Sequence, residues 1–322
     1  MSVATRTEVE EVRSPLQKVE PRPWGLSPQD LIVYLMILPA VLMYVIFTYV
    51  PMPGMFTAFC EYTSAAGFKA WTGMENLVGL MRMSDFPRAL RNNIMYAALG
   101  YVINFPAPII LALMFNEMRA QGFKKGIQTV TTVPHFINWV VIGGIFKILL
   151  DPDYGWINSL VVKLGGQSVY FLGDPKWFPF MYVLLSLWKS VGWGTILYLA
   201  TMASIDHSLY EAAAIDGAGR WRQTWHVTLP ALKGIILLQL IMSFSGILNL
   251  FDSMFILGNA SNRDVSLVLD TLVYYTAFGG SQDGNFGLSS AMSLFKTAFG
   301  AIMTIIVNQT AKKLSDDGRG IF

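Results

Sequence analysis

From Leu31 to Cys60 the chain carries no charged side chain, and five further stretches are long and mostly apolar. A helix rises about 1.5 Å per residue, so about 20 mostly apolar residues cross a hydrocarbon core of about 30 Å. Six segments meet that length, near 31–51, 93–115, 127–149, 178–203, 234–256 and 288–311. The fourth carries Lys189 and the sixth Lys296, yet each is otherwise long and apolar enough. The expected fold is therefore all-α, a polytopic membrane protein with six transmembrane helices. Its membrane domain covers 31–322, with the core bundle over about 90–312, behind a polar arm at 1–30.

Composition supports this class and removes others. Only 14% of residues are charged, against about 25% in an ordinary soluble domain. The net charge of +2 and the lack of any basic run argue against nucleic acid. Cys60 is the single cysteine, so no internal disulfide forms, and no CxxC or Cys/His cluster suggests a metal. The first thirty residues are polar, with Glu8, Glu10 and Glu11 among them. A signal peptide puts its apolar core directly behind a basic start, so a cytoplasmic arm followed by a retained helix is expected instead.

Orientation follows from Lys and Arg in the loops. With the N-terminus inside, the inner segments hold Arg6, Arg13, Lys18, Arg22, Arg119, Lys124, Lys125, Arg220, Arg222, Lys233, Lys312, Lys313 and Arg319. The outer loops hold Lys69, Arg82, Arg88, Arg91, Lys163, Lys176 and Arg263. The excess places both termini in the cytoplasm. The first outer loop runs against the bias, and its "FPRALRNN" reads as a short helix along the surface.

This topology puts the polar insert "YEAAAIDGAGRWRQTWHVTLP", residues 210–230, in a cytoplasmic loop at about 205–230. Ser208 and Glu211 have the spacing of a capping box, which predicts a helix from Leu209. Ala212, Ala213 and Ala214 favour helix and admit a close surface. Gly217, after Asp216, can take positive φ and end the helix. A second short helix is expected over about 218–228, with Trp221 and Trp225 on one face. Pro230 lacks an N–H, so the next span should start afresh. An amphipathic loop resting on headgroups explains the tryptophans and arginines. A docking surface for a cytoplasmic partner explains the cap, the alanines and the Asp-Gly hinge as well.

"EAAAIDGA" followed by "LP" resembles the EAA loop of the permease subunits of bacterial ABC importers, matching at Glu211, Ala212, Ala213, Gly217 and Pro230. The likeness extends to "WKSVGWGTILYLATMASIDHSLYEAAAIDGA", "FDSMFIL", "DTLVYY", "FGLSSAMSLF" and "YVPMPGMFTAF". These are similar to the carbohydrate branch of the family, and cover roughly residues 30 to 315. The resemblance implies a coupling helix that sits in a groove of a separate ATPase subunit, with Glu211, Ala212, Ala213, Asp216, Gly217, Ala218 and Pro230 as the coupling residues. It also implies a second, homologous permease subunit, two ATP-binding subunits, an extracellular solute-binding protein and an oligosaccharide substrate, in a bacterial cytoplasmic membrane.

No G-x-x-x-x-G-K-[ST] phosphate loop occurs, so no cofactor is expected in this chain; ATP and Mg²⁺ belong to the partner subunits. "KLGGQS" at 163–168 reads as a chance likeness to the ABC ATPase signature, because no nucleotide-binding fold accompanies it. His135, Asn138 and Trp139 follow Pro134 without a second histidine or a carboxylate at suitable spacing, so packing or pathway lining is expected there and no catalytic or metal site.

Ionisable residues inside a membrane are costly and face the bundle interior. Lys189, Lys296, Trp188 and Trp193 are therefore candidates for a sugar pathway, with aromatic faces against the rings and polar groups on the hydroxyls. Ser245, Asn249 and Asp252 recur at i, i+4 and i+7, which would put them on one helical face. The competing account is an internal Lys–Asp bridge that only holds helices together. Several lysines would also suit an acidic sugar. A secondary, ion-driven transporter remains the alternative function; it would need a coupling-ion site and usually two similar halves.

Overall fold

A computed structural model describes residues 28–63, 65–279 and 284–314. The expected N-terminal arm, apart from its last residues, and the C-terminal residues 315–322 lie outside these. Among the described residues five helices are long and apolar enough to cross a membrane, and a pair bent by 104° makes a sixth if it is one span.

Two compact units divide at Gly54. In the first, α1 (Pro28–Tyr44) runs into a π-helical turn over Val45–Tyr49. Its large apolar side chains are exposed from Leu31 to Val50. A helix that is apolar all round suits lipid or another apolar surface rather than water.

The second unit starts in the last turns of a 3-10 helix ending at Phe59 and continues into a small hairpin, β1 (Cys60–Thr63) and β2 (Gly67–Trp71), antiparallel with Glu61 opposite Ala70. No residue pattern in the sequence announces these strands. α2 (Glu75–Arg82) and α3 (Asp85–Leu99) follow. A π-helical turn over Gly100–Asn104 joins α3 to α4 (Pro106–Glu117), making one helix of 33 residues. "FPRALRNN" is thus the first part of the second span and not a separate surface helix. Its Asn92 and Asn93 are fully buried. Asn92 donates to the carbonyls of Asp264 and Leu267, both at 2.9 Å, and Asn93 accepts from the Leu269 N–H at 2.8 Å. These bonds fasten the span to the loop after the fifth span.

The third crossing is broken. α5 (Gln121–Thr132) tightens into a 3-10 turn over Val133–Phe136, and α6 (Trp139–Leu149) leaves at 104°. Buried Pro134 supplies no N–H, and Asn138 starts α6 by accepting from the Val140 N–H at 3.0 Å. α7 (Trp156–Lys163) precedes α8 (Phe178–Ala203), the fourth span, which matches the expected bounds. At Gly192 a Cβ would come within 2.1 Å of the Thr131 carbonyl, so α8 and α5 touch backbone to backbone.

The loop helices α9 (His207–Ile215) and α10 (Arg220–Gln223) lead through a π-helical turn, Thr224–Thr228, into α11 (Leu229–Ser245). Arg220–Ser245 is one 26-residue helix. Pro230 therefore does not restart the chain. It lies in the first turn of α11, directly behind the wider π turn, where its missing N–H and its ring are tolerated. The helix also ends earlier than expected, at Ser245 rather than near 256. α12 (Phe251–Leu257) and α13 (Arg263–Ser266) are separate short helices, followed by α14 (Leu269–Phe278) and the last span, α15 (Phe286–Leu314). One core cluster gathers Tyr96, Phe178, Tyr182 and Met254; a second gathers Phe86, Leu269 and Met292.

Candidate functional site

The polar insert forms the helix that its sequence announces, but from a different start. Asp206, not Ser208, is the N-cap: its carboxylate accepts from the Ser208 N–H at 2.9 Å, and α9 begins at His207. That hydrogen bond holds the exposed Asp206 carboxyl below the usual carboxylate range. Glu211 does not close a capping box; it lies 3.5 Å from His207 Nδ1, one turn back.

The other end is built as expected. Gly217 has φ 76°, Ala218 N–H donates to the Ala213 carbonyl at 2.9 Å, and Gly217 N–H donates to Ala214 at 3.0 Å. This pair of bonds is the Schellman arrangement, which satisfies carbonyls that the helix would otherwise leave open. Asp216 sits at the C-cap in a near-helical conformation. No residue of α9 is buried. Leu209 is 52% and Ile215 87% exposed. A short helix with its apolar side chains in the open lacks the covering surface that normally stabilises it.

One side-chain tie holds this helix to the membrane domain, and a second braces the span it is tied to. Tyr210 OH and Thr228 Oγ1 are 2.9 Å apart, joining α9 to the base of the fifth span. Arg220 meets Glu117 at 3.0 Å, joining that same base to the end of the second span. Between them lies a cavity of about 590 Å³ bordered by Glu117, Tyr210, Glu211, Ala214, Arg220 and Thr228. Trp221 and Trp225 share a face, rings 6.0 Å apart and edge-on.

The intramembrane candidates scatter. Because the fifth helix ends at Ser245, Ser245, Asn249 and Asp252 do not share a helical face. Ser245 donates back to the Met242 carbonyl at 2.8 Å, Asn249 lies in the following turn, and Asp252 is exposed in the first turn of α12. Lys296 does form an internal bridge, but with Asp270 of α14, whose other oxygen accepts from the Leu250 N–H at 2.8 Å. Lys189 bridges no carboxylate among the described residues. Its ammonium donates to the backbone carbonyls of His135, at 2.7 Å, and Ile137, at the break of the third span. Trp193 stacks on the His135 ring, 4.5 Å between centroids and 4° from parallel, and Trp188 packs edge-on against Phe146 at 5.6 Å.

The structure adds a constellation that the sequence reading missed. A cavity of about 290 Å³ opens among the second, fourth and fifth spans, bordered by Tyr96, Tyr101, Asn104, Tyr182, Ser186 and Ser243. Asn104 donates to Ser186 at 3.2 Å, while its Oδ1 is buried and accepts no hydrogen bond. Ser243 donates to Tyr101 OH at 3.3 Å, and Tyr101 stacks on Phe244 at 4.3 Å. Asn104, Ser186 and Ser243 stand inside three apolar runs, but the fourth and fifth spans hold other polar residues as well, so no pattern in the sequence singles these out. Such a lining of amides, hydroxyls and aromatic faces is chemically suited to a polyhydroxylated solute. Among the described residues no group of three potential metal ligands occurs.

Three comparisons bear on this arrangement. Residues 104–316 match the family described as "Binding-protein-dependent transport system inner membrane component". The chain is 42% identical to the polygalacturonan/rhamnogalacturonan transport system permease protein YteP of Bacillus subtilis (strain 168), over 90% of each chain. In structure it is similar to a chain of a bacterial ABC transporter involved in the import of the acidic polysaccharide alginate, with TM-score 0.82 and 31% identity, covering 89% of this chain and 97% of that one. A bacterial alginate ABC transporter in complex with an alginate pentasaccharide-bound periplasmic protein gives TM-score 0.81 at 30% identity, covering 89% and 96%.

Proposed function

The chain belongs to the family of binding-protein-dependent transport system inner membrane components, and from that premise we propose that it is the membrane-spanning permease subunit of an ATP-driven ABC importer for an oligosaccharide. The observation that carries the coupling role is α9: a capped, glycine-closed helix with no buried residue, tied by Tyr210 to the base of the fifth span, which Arg220 in turn joins to the second.

In this reading an ATP-binding subunit receives α9 in a groove, with Glu211, Ala212 and Ala213 on the docked helix. Closure of two such subunits around ATP and Mg²⁺ moves α9 as a rigid body. Gly217 lets the chain turn without unravelling the helix, and the continuous helix from Arg220 to Ser245 carries the displacement into the membrane. A second, homologous permease subunit completes the pathway. An extracellular binding protein delivers the sugar, which passes the aromatic and amide groups around Asn104 and Tyr101. The chain itself binds no nucleotide and performs no bond-breaking step. It sits in the bacterial cytoplasmic membrane with both termini in the cytoplasm.

The test is transport by the assembled complex in proteoliposomes. Uptake should require ATP and the binding protein, and ATPase activity should vanish when the ATP-binding subunits are removed. Uptake that follows an ion gradient and ignores ATP would favour a secondary transporter. Orientation is tested with a Cys60-substituted protein: a cysteine at exposed Ser261 should be labelled from outside and one at Ser315 from the cytoplasm.

A further inference from the structure

Two lysines lie deep within spans, and their surroundings differ. Lys189 is eleven residues from the start of α8 and Lys296 ten from the start of α15. At about 1.5 Å per residue both ammonium groups stand near the middle of a core of about 30 Å. Lys296 is neutralised by Asp270 within the chain. Lys189 is held by two carbonyls. Carbonyls satisfy its N–H donors, and the end of a helical segment welcomes a cation, but they leave a full positive charge in the membrane. Lys147 of α6 repeats the arrangement nearer the end of the third crossing, with its Nζ 2.7 Å from the Ile256 carbonyl and no carboxylate partner among the described residues.

The groups around Lys189 are those that hold a sugar. Trp193, four residues further along the same face of α8, is 47% exposed and backed by the parallel His135 ring. Phe136 meets the same indole edge-on at 5.7 Å. An exposed aromatic face beside a cation offers stacking to a pyranose ring and a charge-assisted hydrogen bond to a carboxylate on that ring. Lipid acyl chains supply no anion at this depth. A passing solute can.

We propose that the break in the third span is a carboxylate-reading station of the solute pathway, with Lys189 as its cation and the Trp193–His135 stack as its platform, and that the transported solute is an acidic, uronate-containing oligosaccharide. This rests on the importer reading above. Lys147 then acts as a second, shallower station.

The experiment compares uptake of trigalacturonate, its fully methyl-esterified form and maltotriose by the assembled complex in proteoliposomes. Wild type, Lys189→Met, Lys189→Arg and Lys147→Met are measured with one binding protein, whose own preference then cancels between variants. Wild type should prefer trigalacturonate over the ester. Lys189→Met should lower that preference about tenfold, the scale of one lost charge-assisted hydrogen bond; Lys189→Arg should keep most of it, and Lys147→Met should lower it less. Co-purification of the ATP-binding subunits checks assembly, and a ratio of two substrates is insensitive to the amount of active complex. ATP-driven uptake of maltotriose or the ester at the trigalacturonate rate would overturn the station and leave the importer reading standing. A Lys189→Met variant that slows charged and neutral sugars by the same factor would also overturn it, leaving Lys189 as the donor that closes the break in the third span. Absence of ATP-driven uptake of all three sugars would overturn both readings.

Discussion

Two helix ends in this chain solve the same problem by different means. α9 ends at Gly217, whose positive φ turns two N–H groups back onto Ala213 and Ala214. The 3-10 turn at Phe136 ends with the carbonyls of His135 and Ile137 satisfied by Lys189, which is 54 and 52 residues away in sequence. In water a helix end can be finished by its own next residues or by solvent. Inside a membrane water is absent, and a helix broken there needs a donor brought from another span.

The largest expected effect tests the non-local end. Lys189→Met leaves two part-buried carbonyls at the break without their donor, each at a fraction of the about 1–3 kcal/mol that a fully buried group would cost. The detergent-solubilised complex should melt at a lower temperature, and Lys189→Arg should recover much of the loss. An unchanged melting temperature in Lys189→Met would mean that another donor closes the break.

The local end should respond less in stability and more in function. A Cβ at Gly217 meets nothing within 4 Å, so the cost of Gly217→Val is conformational, about 1–2 kcal/mol or more for a β-branched residue held at positive φ. Gly217→Asn, which tolerates that conformation better, should cost less. Transport should fall sharply in the valine variant while binding-protein docking persists. Parental uptake by Gly217→Val, measured beside surface level and ATPase co-purification, would remove α9 from the coupling role.

The same contrast explains what could be read in advance. The membrane class, the α8 bounds and the glycine closure at Gly217 depend on composition, length and neighbouring residues, all visible in one stretch of sequence. The start of α9 was displaced because two cap candidates, Asp206 and Ser208, lie two residues apart and both fit local rules. The continuity across Pro230 depends on a π turn that no residue pattern announces. The partners of Lys189 and Lys296 were illegible for a different reason: a carbonyl is present at every residue, and the choice of Asp270 over Asp252 is made by how α14 packs on α15. The Asn104 cavity likewise needs three spans to be placed before its polar groups meet.

A smaller effect is expected at the tie between the second and fifth spans. Glu117 and Arg220 are both partly exposed, so their pairing contributes only about 0.2–1 kcal/mol to stability. Its importance lies in geometry, since it fixes the base of the fifth span against the second. Glu117→Arg or Arg220→Glu alone should raise the ATP hydrolysed per sugar imported, and the double exchange should restore the ratio. A double variant no better than either single one would show that the pair does not carry the movement.

The smallest effect concerns the start of α9 and its pH dependence. The folded pKa of Asp206 is lowered, first by the Ser208 backbone N–H, then by the Ser208 side chain and the neighbouring His207. A depressed carboxylate contributes stability that is fully present above its unfolded pKa, about 3.9. That contribution is lost only as pH falls through the lower folded value. Between about pH 5 and 8 the cap should therefore be constant. Amide hydrogen exchange in the first turn of α9, corrected for intrinsic rates, should show steady protection across that window. Asp206→Ala should lose the protection throughout it, and Asp206→Asn, whose carbonyl can still accept from Ser208, should keep most. Protection that instead falls within that window, or that survives in Asp206→Ala, would mean that the aspartate cap does not hold the start of the helix.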